Sequence, residues 1–275
     1  VHGTDDGRGI LFPDRLPTFT RVPAPEALTD RIRWFWIPRW DLPAGRVSRQ
    51  RLLPFPASNL VVQLDGVTLA GPTTGASHRD LSGRGWAVGT SLRPAGIAAL
   101  HPAPGRIRDI EVPFPAADLH AVVTAAMEPA SLEAEGDSAI TGAVEAFAAW
   151  AADRIGPPDE SGLLANTMEQ LVADDRSIVR VDQLAERLSA SVRTVQRLAR
   201  RYVGLPPLSM IRRYRLQEAA QRLRDDPALT VGRIAADLGY ADHAHLTADF
   251  RRVLGSTPTS YRRDQPTPGQ SPEVE

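Results

Sequence analysis

The sequence predicts an α+β protein in two parts: a mostly antiparallel β domain, barrel or sandwich, with helices of its own, then an all-α domain with two helix-turn-helix units joined by a long helix. Three observations predict it. Short apolar runs separated by Gly and Pro fill residues 30 to 112, which is strand and turn patterning. From Ala116 to Ile155 the apolar spacing changes to that of helices. Beyond residue 180 a short amphipathic segment, a tight turn and a freshly capped helix occur twice, at 181–202 and 230–254.

Taken in order, residues 1–26 read as a flexible lead-in punctuated by Pro13, Pro17, Pro23 and Pro25. Asp30 to Trp40 gathers three Trp and a Phe and ends at prolines, which suits a buried or edge strand. Ser58 to Leu64, Val67 to Ala70, Gly85 to Leu92 and Ile107 to Val112 are further strands, with a turn at Asp65-Gly66. Helices follow at Ala116 to Met127 and Ser138 to Ile155. Ile140, Val144, Phe147, Ala151 and Ile155 form a stripe on the second, fit either for a dimer seam or for packing on the β unit. Gly156-Pro157-Pro158 marks a linker over 156–160, since Pro cannot continue the preceding helix. This divides the chain into an N-terminal domain at 27–155, a C-terminal domain at 161–263 and a disordered acidic tail at 264–275.

Charge is divided in the same way. The 275 residues carry a net charge of −1. Ser177 to Arg263 holds 16 Arg against 8 acidic residues, a net of +8, while residues 1–176 stand at −6. The basic part is the part with the helix-turn-helix patterning, the footprint of a nucleic-acid partner. With no Cys, a disulfide framework, a Cys-zinc site and a thiol nucleophile are excluded. No stretch approaches the about 18 uninterrupted apolar residues that a membrane helix needs, so the sequence reads as a cytoplasmic protein with no membrane partner.

Ser191 to Tyr202 carries the most specific chemistry. At the roughly 100° per residue of an α-helix, Val195, Leu198, Ala199 and Tyr202 fall on one side and Arg193, Gln196, Arg197 and Arg200 on the other. Arg matches the O6 and N7 acceptors of guanine, and Gln matches the N7 and N6 of adenine, so this row suits base edges in a major groove. Val181 to Leu188, the tight Ser189-Ala190 and an N-cap at Ser191 complete the first unit. After Gly204 as a C-cap, Leu208 to Leu223 is the long joining helix. Thr230 then caps VGRIAADL, Gly239-Tyr240-Ala241 turns, and Asp242 caps a helix to about Leu254.

Leu163 to Arg263 resembles the DNA-binding domain of the AraC/XylS family of transcription regulators. SVRTVQRLARRYVGLPP is similar to its first recognition segment and IAADLGYADHAHLTADFRRVLGSTPTSYRR to its second. LLPFPASNLVVQL and VGTSLRPAGIAALH are similar to an N-terminal domain found in a poorly characterised subset of these regulators. The resemblance implies base contacts from Arg193, Gln196 and Arg197, and from His243, Ala244 and Thr247 in the second unit. Where the family commonly has Arg, this chain has Ala248, which reaches no base edge by a hydrogen bond but fits against a thymine methyl. The first helix is therefore expected to supply most specificity. Phosphate contacts are assigned to Arg200, Arg201, Arg251 and Arg252.

The expected function is that of a DNA-binding transcription regulator, an activator rather than a repressor by resemblance. Its expected partners are double-stranded promoter DNA and, by resemblance, RNA polymerase, with a small-molecule effector or a second copy of the chain as partner of the N-terminal domain. A protein-interaction module without effector is the alternative for that domain. An enzyme fused to a DNA-binding domain finds no nucleophile or carboxylate constellation, and no catalytic residue or cofactor is expected. Trp34, Trp36 and Trp86, with Trp40, are candidates for a ligand pocket or for core. No metal site is expected. His243 and His245, two apart on a helix, point about 200° away from each other, and His78, His101 and His120 lie in separate segments.

Overall fold

A computed structural model describes residues 18–52, 55–128 and 136–264. Residues 1–17 of the expected lead-in and 265–275 of the expected tail lie outside these. The N-terminal strands are β1 (Thr18–Pro23), β2 (Ile32–Asp41), β3 (Val47–Leu52), β4 (Asn59–Gln63), β5 (Gly66–Ala70), β6 (Ser77–Ser82), β7 (Arg84–Leu92) and β8 (Glu111–Pro113). Six of them form one antiparallel sheet in the order β1-β2-β7-β4-β5-β8, and β3 pairs with β6 in a second, two-stranded sheet. Helix α1 (Pro94–Leu100) follows β7, and α2 (Ala117–Met127) and α3 (Gly136–Arg154) follow β8.

Thr18–Pro23 is no loose lead-in: it pairs along its whole length with β2. That pairing, with β7 on the other side, makes β2 an interior strand and not an edge. Its recorded pairs with β7 skip Ile37 and Pro38, where proline offers no N–H to the ladder. Ile107 to Val112 is not one strand, because Pro104–Ile107 forms a 3₁₀ turn and pairing begins only at Glu111. Strands β3 and β6 were not expected at all. Five of the six residues of SHRDLS are exposed, so the apolar alternation that announces a half-buried strand is missing.

Period-two alternation gives the large sheet two different faces. Ile32, Phe35, Ile37, Leu60, Val62 and Val88 point to a core completed by α2 and α3, where Leu119, Val123, Val144 and Phe147 are buried. The Phe35 and Phe147 rings meet nearly edge-on with centroids 5.6 Å apart. The stripe at Ile140, Val144, Phe147, Ala151 and Ile155 thus packs on the β unit, and is buried within the single chain.

The C-terminal helices are α4 (Glu160–Asp174), α5 (Val181–Arg187), α6 (Val192–Leu198), α7 (Pro207–Asp225), α8 (Val231–Asp237), α9 (His243–Leu254) and α10 (Pro258–Arg263). A π-helical turn, Ala199–Val203, extends α6 before Gly204 ends it at φ 79°. Helix α7 serves two cores. Its first half, with Met210, Ile211 and Tyr214, packs with α4, α5 and α6; its second half, with Leu216, Ala220 and Leu223, packs with α8, α9 and Tyr261. The first of these cores also takes in Phe55, with Trp34 packed against it, from the N-terminal part. Among the described residues no helix is long and apolar enough to cross a membrane.

Candidate nucleic-acid interface

Both units are built alike. Ser191 caps α6 by accepting from the Thr194 N–H at 3.1 Å, and Asp242 caps α9 by accepting from the His245 N–H at 2.7 Å. In the turns, the Ala190 N–H donates to the Ala185 carbonyl and the Tyr240 N–H to the Ala235 carbonyl, each at 2.9 Å. The pivot residue is left-handed in both, Gly239 at φ 68° and Ser189 at φ 50°. Glycine adopts this conformation without strain, whereas serine has a Cβ that crowds the backbone there. Ser189→Gly is therefore expected to raise stability by about 0.5 to 1 kcal/mol, read as a higher midpoint in urea; a lower midpoint would show that the Ser189 side chain contributes more than its strain costs.

On α6, Val195 and Leu198 are buried while Arg193, Gln196 and Arg197 are exposed, as are Arg200 and Arg201 on the π turn. The guanidinium of Arg201 lies 5.1 Å from the Tyr202 ring centroid. The expected row thus stands on one face, held by a packed opposite face and a capped N-terminus. On α9, His243, Ala244, Ala248, Arg251 and Arg252 are exposed and Thr247 is half-buried. His245 turns back, its ring 5.2 Å from that of Tyr240, and Arg252 is engaged by Asp249. Arg215 is structural: it lies 3.9 Å over the Tyr240 ring and donates to the Leu238 carbonyl at 2.7 Å. Burial pushes the Tyr240 hydroxyl up to about 12, so that ring stays neutral beneath its cation.

The N-terminal part encloses a cavity of about 360 Å³ between its two sheets. Trp34, Trp36 and Trp40 line it, together with Phe19, Phe55 and Leu81. Trp86 does not. It stands at the opposite parity on its strand, 8% exposed in the core with Val88. The positions of β7 that face the cavity are Ala87, Ser91 and two glycines that make room for indole rings: a Cβ on Gly89 would sit 2.2 Å from the Trp36 ring, and one on Gly85 2.4 Å from that of Trp40. Two glycines four apart in GWAVG, and Trp at every second or fourth place from 34, were the available signals for this arrangement.

The walls of the cavity also touch the C-terminal helices. Phe55 meets Tyr214 of α7 edge-on at 5.7 Å. Arg51, beside the lining residue Leu52, donates to the Leu254 carbonyl at the end of α9, and the Ala76 N–H donates to the Val253 carbonyl at 2.9 Å. At the other unit, Gly105 approaches Gly204 so closely that a Cβ on Gly204 would lie 2.5 Å from the Gly105 nitrogen. Helix α4 is bound down too: Asn166 accepts from the Ala95 N–H at 3.0 Å and donates to the Asp30 carbonyl at 2.6 Å. The residues after Gly156-Pro157-Pro158 are therefore docked on the first part of the chain and do not hang from a free spacer.

Residues 184–264 match the family model described as a helix-turn-helix domain, and residues 20–109 match one described as a domain of unknown function (DUF6597). A putative AraC-like transcription regulator of Streptomyces lividans is 32% identical over 120 residues, covering 41% of this chain and 39% of the relative. The C-terminal part of the chain is similar to AraC-like transcription regulators. The transcriptional activator RhaS of Escherichia coli (strain SE11), another relative, is 35% identical over 101 residues, covering 37% of this chain and 35% of RhaS. The family likeness thus spans about two fifths or less of the length of these curated relatives. Among solved structures, ToxT from Vibrio cholerae O395 is similar over 89% of this chain and 95% of its own, with 11% identity and a TM-score of 0.40.

Proposed function

We propose that this chain is a sequence-specific DNA-binding regulator in which α6 reads bases, α9 mainly holds the backbone, and the N-terminal part, ending near residue 155, senses a small molecule in its cavity. One observation carries it: Arg193, Gln196 and Arg197 stand exposed on one face of a capped helix whose opposite face is buried. Hydrogen bonds from such side chains discriminate base pairs in the major groove, while Arg200, Arg201 and Arg251 lie at the ends of the two helices, where phosphates fix orientation. His243, Ala244 and Thr247 face the second groove with short side chains, and Ala248 offers a methyl for thymine. Arg252, engaged by Asp249, is the weaker phosphate ligand of its pair.

The sensing role is supported by the shared walls of the cavity, because an occupant that displaces Phe55, Leu52 or Thr73 acts on segments bonded to α7 and α9. Action as an activator in the cytoplasm, through RNA polymerase and with a second copy of the chain, extends the reading from its family. A footprint of the full-length protein at one stated salt concentration tests it. Protection of two successive major grooves on one face, about 20 bp, is expected; sequence-blind protection would remove the proposal.

Single substitutions separate the two kinds of contact. Arg197→Ala is expected to cost about 1 to 3 kcal/mol on the preferred site and to relax the choice at one base pair. Arg251→Ala should weaken all DNA alike and lower the salt slope by about one. Titrations on specific and random duplexes at several salt concentrations check both, and equal losses on the two duplexes for Arg197→Ala would take base reading away from it.

A further inference from the structure

The cavity has a floor, an edge and a charge balance that together describe its occupant. The floor is the Trp36 ring, which lies across Gly89 on one side and leaves its other side to the space that it lines. In the sheet register, Trp36 stands opposite Gly89 and Gly89 opposite Val61, so the ring spans a gap in which β7 has no side chain. The neighbouring row runs Trp34, Ser91, Asn59 across the same three strands. Ser91 is 2% exposed and its Oγ has no hydrogen-bond partner. The indole N–H of Trp36 donates to Asn59 Oδ1 at 3.0 Å, which orients the amide and leaves its NH₂ as a donor on a residue that lines the cavity. A buried hydroxyl without a partner is costly unless something completes it.

The charged groups in the wall are already matched. Arg79 is paired with Glu111 at 2.7 Å, Asp109 accepts from the Thr74 hydroxyl at 2.6 Å, and the guanidinium of Arg21 lies 4.7 Å over the Trp34 ring. Two arginines and two carboxylates line the space beside His78, so the formal charges of arginine and carboxylate cancel there.

Building on the sensing role above, we propose that the cavity takes a neutral, planar aromatic molecule that stacks on Trp36 and presents one oxygen at its edge to Ser91 Oγ and the Asn59 amide. A sugar would need many more polar partners than these two, and an ion would have to break the Arg79–Glu111 pair to be balanced. The volume accommodates a two-ring molecule.

The test uses four probes on the full chain by titration calorimetry and thermal melting: 2-naphthol, the anion 2-naphthoate, the cation N-methylquinolinium, and glucose. Saturable one-to-one binding of 2-naphthol with a raised Tm is expected, with the two ions at least about tenfold weaker and glucose without effect. Ser91→Ala should weaken 2-naphthol about tenfold, the worth of one hydrogen bond, and Trp36→Ala should weaken it further. Because Ser91→Ala removes one atom and leaves no partner unpaired, its unchanged Tm without probe shows that the fold is kept. Undiminished binding to Ser91→Ala, or an ion or glucose binding in place of 2-naphthol, overturns the ligand class while leaving a sensing domain. Absence of binding by all four, with DNA protection intact, overturns this ligand class and counts against the sensing role, but not against DNA reading.

Discussion

Glu169→Ala is expected to lower the stability of the protein by about 3 to 5 kcal/mol. Glu169 is 2% exposed and joins three elements: Arg33 of β2 donates to both its oxygens, Tyr214 of α7 donates to one of them, and Arg93 approaches to 3.8 Å. The Arg33 side chain is itself only 9% exposed. Removing the carboxylate leaves a buried guanidinium and a buried phenol without their acceptor, which costs far more than the pair contributed. Burial already draws the Arg93 guanidinium below its ordinary pKa, so that cation is poorly placed to be left alone as well. The double change Arg33→Met, Glu169→Leu should recover most of the loss, since apolar side chains need no partner. Urea unfolding measures both. A loss below about 1 kcal/mol for Glu169→Ala would mean that water reaches the network.

Phe250→Ala should cost a similar 3 to 5 kcal/mol, roughly the price of emptying a fully buried aromatic site, but its effect should fall on one unit. Phe250 is 0% exposed and packs 5.5 Å from Tyr261 in the second C-terminal core, which is separate from the core that holds α6. Hydrogen exchange is expected to quicken across α8 and α9 while α5 and α6 stay protected. On DNA the footprint should shrink toward the groove read by α6. Equal loosening of both units would show that they unfold together, and the division of α7 between two cores would then have no thermodynamic meaning.

The C-terminal part was legible because its signals are local. Ser191, Thr230 and Asp242 cap helices, Gly204 and Gly255 end them in left-handed geometry, and each of these acts within five residues of its own position. Local rules do not reach the strand β6, whose exposed SHRDLS pairs with β3 some 30 residues away. Nor do they reach Glu169, which meets Arg33 across 136 residues of chain. In the candidate pocket, Trp34, Trp36 and Trp40 share one face of a strand by parity, and that was open to reading. Trp86 was grouped with them by residue type alone, although its neighbours Gly85 and Ala87 occupy the other parity.

The two recognition helices are held at three places: by α7 between them, by Gly105 against Gly204 at the end of the first, and by Arg51 and Ala76 at the end of the second. A frame braced in this way does not change its span by flexing one member. For DNA read as proposed, the two subsites must then keep a fixed distance and a fixed helical phase. One base pair inserted between them turns the second subsite by about a tenth of a turn, and about ten restore its direction while moving it a full pitch away. An operator library varied only in this spacer would therefore show a single narrow optimum, broadening when Arg51 is replaced and the brace at α9 is released.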